Sequence, residues 1–335
     1  MAPEIFFIAP HPAEFTSGGN RYNTQLIGSL RLAGWKVRRF SPSDPRIKTI
    51  SPGSLVVVDA IYRDPLLEGG FELPPHSRWA ALIHYLPELD RPGAGADPSW
   101  VSVFDLLLFP SEFLRTRFKD LYPGSLTPSF VLPPIIPIQI WPEAALKPGE
   151  IPKFVIVGNY LPVKGILEFL QQFVIALGQG ISLPRFELAI YGSILDQSYW
   201  SACRNLADQF PALSKVILSK DIPRSRLLAV LSEATALVSP SSFESFGMAV
   251  AEAMALKRPV LALSRGNIPH LVSAYPAARL FDQMEELAMF LKEVIQEPCK
   301  AEDLYRSAKA TPFEQRPFSP EQVIRQWEWI MDHFW

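Results

Sequence analysis

The strongest constraint on the fold is a series of short runs, several apolar throughout, some of them leading through a turn into a helical pattern. IFFIA (5–9) precedes the turn-rich PHPAEFTSGGN and a helix expected from Asn20 to about Leu32. Further runs follow at KVRRF (36–40), SLVVVDA (54–60), WAALIHY (79–85), DLLLFPS (105–111) and SFVLPP (129–134). A strand with one solvated face alternates polar and apolar residues, whereas a strand apolar on both faces must be covered on both. That is the pattern of a parallel sheet lying between helices. A chain of 335 residues exceeds the size of one core, so two such domains are expected, each doubly wound and Rossmann-like, facing a cleft.

The rhythm breaks at LPPIIPIQIWPEAALKPGEIPK (132–153), whose repeated prolines suit a linker. It restarts with a strand at 154–158 and an amphipathic helix, then FELAIYG (186–192), a helix at 195–210, KVILS (215–219) and a helix at 224–234. We expect domains at 1–145 and 146–315, followed by a terminal helix at 316–335. In that helix Val323, Ile324, Trp327, Ile330, Met331 and Phe334 recur at helical spacing and form one apolar face.

Composition narrows the function. A net charge of −2 supplies no basic field of the kind nucleic acid needs, so nucleic acid is excluded as a partner. The helix expected at 111–122 carries Arg115, Arg117 and Lys119, ordinarily a solvated face. No run of 18 uncharged apolar residues is present, and Glu4 stands where a signal peptide carries basic residues, so a cytoplasmic protein is expected. Cys203 and Cys299 are far apart and form no metal or disulfide pattern. No histidine and carboxylate cluster suggests a catalytic metal.

The most informative stretch for chemistry is residues 235–270, TALVSPSSFESFGMAVAEAMALKRPVLALSRGNIPH. It reads as a strand (Ala236–Val238), an exit loop, a helix from Ser245 to Leu256 and a second strand (Pro259–Leu263). Glu244 and Glu252 bracket that helix about 10 Å apart along its axis, near the span from a ribose across a diphosphate to a sugar. Between them the backbone N–H groups of Ser245, Phe246, Gly247 and Met248 open the helix and attract phosphate. Gly18 and Gly19 can bring amides to an anion at the head of the first helix, with Asn20 as the expected N-cap. His84 lies at the carboxyl end of a strand, where open parallel sheets bind ligands.

Glu244, seven residues and Glu252, in the setting PSSFESFGMAVAEAMALKRPV, resemble the E-x7-E signature of glycosyltransferase family 4. The resemblance implies a retaining enzyme of GT-B type in which Glu252 binds the ribose hydroxyls, Glu244 lies beside the donor sugar and the intervening amides hold the diphosphate. It also implies that Gly18-Gly19 lies near the donor phosphates, that His84 hydrogen-bonds the donor sugar, that Ile222 lies near the base and that the terminal helix crosses back to the first domain. A second family pattern, glycine, arginine and then Lys-Gly, is met by Gly158, Asn159, Lys164 and Gly165. Asn159 replaces the arginine, and Arg265 is the candidate substitute cation. Gly266 to His270 stands where relatives carry Gly-Gly-x-x-Glu. Lys257 takes the place of a helix-ending glycine, which predicts a non-glycine left-handed residue or a reshaped turn.

The expected activity is transfer of a hexose from a nucleoside diphosphate sugar to an acceptor hydroxyl, with no cofactor and no metal. The acceptor would be a glycan, a lipid-linked glycan or a small molecule. Because relatives that glycosylate lipids use basic residues to approach anionic membranes, peripheral contact at the inner membrane face is included in the expectation. A GT-B type sugar-nucleotide epimerase and a non-catalytic nucleotide-sugar binder share the architecture and stand as alternatives.

Overall fold

A computed structural model of the chain describes residues 4–12, 17–69, 75–90, 98–136, 151–178, 184–210, 214–220, 222–310 and 318–334. Most of the expected linker (137–150) and the boundaries at 145/146 and 315/316 lie outside the described residues. The chain forms two units, Met1–Pro137 with Arg316–Trp335, and Ile138–Gln315.

The first unit contains β1 (Ile5–Ile8), α1 (Gly18–Leu32), β2 (Val37–Phe40), β3 (Leu55–Asp59), α2 (Arg63–Leu67), β4 (Arg78–Leu82), α3 (Pro87–Asp90), β5 (Leu106–Phe109), α4 (Glu112–Leu121) and β6 (Ser129–Val131). Its six strands run in the order β2-β1-β3-β4-β5-β6, all paired in parallel. β1, β3 and β5 are buried along their whole length, as apolar strands between two helical layers must be, and β3 ends in the buried Asp59.

The second unit contains β7 (Lys153–Val157), α5 (Ile166–Leu177), β8 (Phe186–Tyr191), α6 (Gln197–Ala207), β9 (Ser214–Ser219), α7 (Arg224–Glu233), β10 (Ala236–Ser239), α8 (Met248–Ala255), β11 (Val260–Leu263), α9 (Ile268–Leu271), β12 (Ala278–Phe281), α10 (Met284–Gln296) and α11 (Pro298–Ala310). Its six strands are ordered β12-β11-β10-β7-β8-β9, again all parallel. One face of this sheet is covered by a cluster that includes Phe169, Phe173, Tyr199, Leu291 and Val294. The other is covered by a cluster that includes Leu227, Leu231, Val250, Ile268 and Tyr275. The last helix, α12 (Pro320–Phe334), belongs to the first unit, where Val323, Trp327 and Ile330 are buried with Leu26, Leu30 and Leu55.

Three local expectations are corrected. The N-cap of α1 is Ser17 instead of Asn20: the Ser17 hydroxyl accepts the Asn20 backbone N–H at 3.0 Å, and Asn20 is buried in the first turn. α8 starts at Met248 and not at Ser245, because Gly247 sits at φ +98° and interrupts the helical backbone. Only four helical steps, about 6 Å of rise, therefore separate Met248 from Glu252, and the rest of the separation from Glu244 is loop. β12, α2, α3, α9, α10 and α11 are additions to the elements expected. β12 is a four-residue edge strand carrying Arg279, and α10 opens with a capping box between Gln283 and Glu286.

Candidate active site

In each sheet the strand order reverses at one point, between β1 and β3 in the first unit and between β7 and β10 in the second. The carboxyl ends of the strands flanking such a reversal diverge into loops on opposite sides, leaving a crevice where ligands bind in open α/β sheets. Gly18 and Gly19 follow β1, and Asn159, Lys164 and Glu244 follow β7 and β10, at these reversals, whereas His84, Arg265 and Ile222 follow β4, β11 and β9.

In the second unit the loop after β7 begins with Gly158 and Asn159. A side chain at Gly192 would overlap the Gly158 carbonyl oxygen, so the β7 and β8 exits pack as bare backbone. Asn159 turns its amide oxygen to the Ser193 backbone N–H at 3.1 Å and stitches the same two exits together. The methylenes of Lys164 lie over Gly158, where an added Cβ would meet Cγ at 3.4 Å. Gly165, at φ +62°, lets the chain turn into α5, since a side chain there would overlap the Pro240 carbonyl. The β10 loop is tied to this turn by Ser242, whose backbone N–H donates to the Val163 carbonyl at 3.0 Å.

This stitching brings Lys164 to Glu244. Nζ donates to Oε1 at 2.7 Å, and the Ser241 hydroxyl donates to the same oxygen at 2.8 Å. Lys164 and Glu244 keep 26% and 16% of their side-chain surface exposed, so the pair is reachable from solvent. The Glu244 backbone is held by the Gly266-Asn267 turn. Asn267 donates its backbone N–H to the Glu244 carbonyl at 2.8 Å and its side-chain amide to the Phe246 carbonyl at 2.9 Å. Gly266 allows the approach, because a side chain would overlap the Glu244 backbone. Phe246 is buried, and a Cβ on Gly247 would come within 2.7 Å of Ile268. The amides of Met248 and of the two residues after it then open α8 without partners inside the helix.

Glu252, one turn into α8, has a side chain with no exposed surface and meets Arg224 Nη1 at 2.6 Å. Arg224 is the first residue of α7 and is 29% exposed. A cation at a helix N-terminus opposes the macrodipole. Its placement there is accounted for by the buried carboxylate it serves. Ile222, just before it, is half-buried against the core behind α7 and α8. The guanidinium of Arg265 is exposed and donates to the Asp282 and Ser264 carbonyls at 2.8 and 3.1 Å. Its backbone joins the turn under Glu244, and its guanidinium rests on those two loop carbonyls. His270 is exposed at the end of the same turn.

In the first unit Gly18 and Gly19 head α1. A Cβ on Gly19 would stand 2.9 Å from His84 Cδ2, so this glycine makes room for the imidazole. His84 lies just beyond β4, with Nε2 3.0 Å from Asn23 Oδ1 and 3.7 Å from Asp59 Oδ2. The Tyr22 ring stands edge-on at 4.7 Å between centroids. Burial pulls the His84 pKa below its ordinary value, and the Asp59 charge works against that shift.

Arg224, Ser241, Asn23 and Asp59 were not among the residues expected at these sites. Asp59 had a signal, a carboxylate ending the otherwise apolar run SLVVVDA. Arg224 had a weaker one as a cation opening a helix. Among the described residues no three His, Cys, Asp or Glu side chains come together in a way that could hold a metal ion, and no helix is long and apolar enough to cross a membrane.

Two parallel doubly wound sheets with these loops define the GT-B class of glycosyltransferase fold. Residues 137–311, more than half the chain, match the family model described as glycosyl transferases group 1, and the chain belongs to that family. A segment of 115 residues is 31% identical to glycosyltransferase 1 domain-containing protein 1 of Xenopus tropicalis, covering 34% of this chain and 32% of that relative. Among solved structures, sucrose-phosphate synthase from Thermosynechococcus elongatus superposes with a TM-score of 0.70 at 19% identity over 99% of both chains. Anabaena HepE, solved in complex with UDP and glucose, gives 0.70 at 15% identity over 99% of this chain and 100% of its own.

Proposed function

We propose that this chain is a retaining hexosyltransferase of glycosyltransferase family 4 that uses a nucleoside diphosphate sugar. The observation that carries the reading is the pair of glutamates, Glu244 and Glu252, at the two ends of one segment beside a topological reversal, each holding a cation. The family match and the UDP and glucose bound to Anabaena HepE support a nucleotide-sugar as the ligand.

In this reading the ribose hydroxyls reach the buried Glu252 carboxylate once the partly exposed Arg224, which holds one of its oxygens, moves aside. Lys164 has three N–H donors and so can hold Glu244 and the diphosphate together. The bond from the anomeric carbon to the β-phosphate oxygen breaks, and the bond from that carbon to the acceptor oxygen forms on the same face. The acceptor proton passes to the departing phosphate oxygen. Lys164 and the amides at the head of α8 stabilise the charge that grows there, so the reading needs neither metal nor cofactor. Glu244 lies beside the sugar as an electrostatic partner and not a nucleophile. The acceptor is a hydroxyl of a glycan, a lipid-linked glycan or a small molecule.

A thermal-shift screen of UDP-, GDP- and ADP-sugars tests this. One of them should stabilise the wild-type protein, and Glu252→Ala should lose that stabilisation. Absence of any shift with the wild type would defeat the reading. NMR of the product should show the donor's anomeric configuration retained. Asn159 favours a second reading, a nucleotide-sugar binder without transfer, because its side chain is committed to Ser193 where the family pattern has a phosphate-binding arginine. Tight donor binding with neither hydrolysis nor transfer to any acceptor would select it.

A further inference from the structure

Each open sheet has two edges, here β2 and β6 in the first unit and β12 and β9 in the second. An edge strand presents N–H and C=O groups that can pair with another chain unless something covers them. Successive residues send these groups alternately to one side and the other, so bonds to the inner neighbour show which residues point outward. In β2 the Phe40 carbonyl is taken by the Ala9 N–H, which turns the backbone groups of Val37 and Arg39 outward. The Val37 carbonyl accepts Arg31 Nε at 3.0 Å. In β6 the outward carbonyls of Ser129 and Val131 accept Arg115 Nη1 at 3.2 Å and Gln326 Nε2 at 3.4 Å. β12 is four residues long, gives its outward Ala278 N–H to the Tyr275 carbonyl at 3.0 Å and carries the exposed Arg279.

β9 differs. The Ser219 carbonyl accepts the Gly192 N–H on the β8 side, so Lys215, Ile217 and Ser219 bond β8 and the backbone groups of Val216 and Leu218 point outward. Among the described residues no side chain or loop caps these groups. The strand is six residues long, about 20 Å, and contains neither proline nor glycine. Its surroundings are incompletely covered as well. Val216 and Leu218, with Leu206 of α6 and Phe210 beyond it, are only half-buried against the core on one face, and Ile217 is half-buried on the other.

We propose that β9 docks against β9 of a second copy of this chain, the two strands running antiparallel about a twofold axis at Ile217. Val216 of each copy then lies opposite Leu218 of the other, and each such pair exchanges both of its N–H to carbonyl bonds. Ile217 meets its own copy in the closely spaced, non-hydrogen-bonded position, where two β-branched side chains pack across the axis. Lys215 falls opposite Ser219, so no like charges oppose each other. The half-buried side chains beside the strand extend the contact beyond its backbone. Because the other three edges are guarded, a second copy offers β9 its own β9, and an edge that pairs with itself closes as a dimer instead of growing into a fibre.

Sedimentation equilibrium of the full chain up to about 100 µM should show a monomer–dimer equilibrium. A wild type that stays monomeric, or that associates beyond a dimer, overturns the proposal. Ile217→Lys and Ile217→Glu each set like charges opposite one another across the axis and should weaken the dimer at least about tenfold, while an equimolar mixture of the two should recover it as the mixed pair. Undiminished dimers in either variant place the contact elsewhere, and a mixture that stays monomeric removes the pairing about Ile217; both results overturn the proposal.

If the charged variants do not fold, hydrogen exchange of the wild type decides. The Val216 and Leu218 amides should gain protection as the concentration rises, while those of Ile217 and Ser219, already bonded to β8, should change little. No gain at Val216 and Leu218 overturns the proposal.

Discussion

A carboxylate with no exposed surface is stable as an ion only if something compensates it, and for Glu252 that compensation includes Arg224 Nη1 at 2.6 Å. Arg224→Met should therefore lower stability by about 3 kcal/mol, the low end for breaking a buried pair, since the arginine is partly exposed. Adding Glu252→Gln should recover part of the loss in urea unfolding, because no buried charge is then left behind. His84 gives a prediction in pH. Its folded pKa lies below its ordinary value, so the unfolded chain takes up the proton more readily, and stability falls as pH drops below about 6.5. That contribution is intact above this range. His84→Gln should flatten the acid side of the stability profile relative to wild type. Lys164, Glu244 and Glu252 were legible in the sequence because each sits in a pattern of local spacing. Arg224, 28 residues from Glu252, and Asn23, 61 residues from His84, were not, because only the strand order brings them together.

The elements were legible wherever a run was apolar throughout, which is why β1, β3 and β5 lie within their expected ranges. Their ends were less so, because caps depend on single backbone geometries. Gly247 interrupts α8 at a point where its neighbours are good helix formers. The other end of α8 shows the opposite case. Lys257 adopts φ +54°, the first of the two outcomes that the missing glycine led us to expect. Its N–H bonds the Met254 carbonyl and the Arg258 N–H bonds the Ala253 carbonyl, both at 2.9 Å, the paired pattern of a Schellman cap. The hydrogen bonding is complete, so the strain of a left-handed lysine is what a substitution can relieve. Lys257→Gly should stabilise by about 1 kcal/mol, read as a higher urea midpoint at unchanged slope. A loss of stability would show that the lysine side chain contributes more than its backbone costs.

At the scale of the molecule, the first unit is built from both ends of the chain, and its core is closed by a helix that follows the whole second unit in sequence. The apolar face of α12 was legible from its spacing alone. Its destination came from the family resemblance and not from the spacing, since periodicity says that a face is buried but not against what. Trp327 is fully buried, and the Trp35 ring stands edge-on to it at 6.3 Å between centroids. It shares its cluster with Leu26 and Leu30 of α1 and with Leu55 of β3, while the second unit carries two clusters of its own. Trp327→Ala should therefore cost about 3–5 kcal/mol, and the cost should fall on one unit. Hydrogen exchange should show protection lost in β1, α1 and β3, with β7, β8 and α5 close to wild type. Nucleotide-induced stabilisation of the second unit should persist in the same variant, because Lys164, Glu244, Arg224 and Glu252 all lie outside the damaged core. Equal loss of protection in both units would mean that they unfold as one cooperative body and that the terminal helix supports the whole chain.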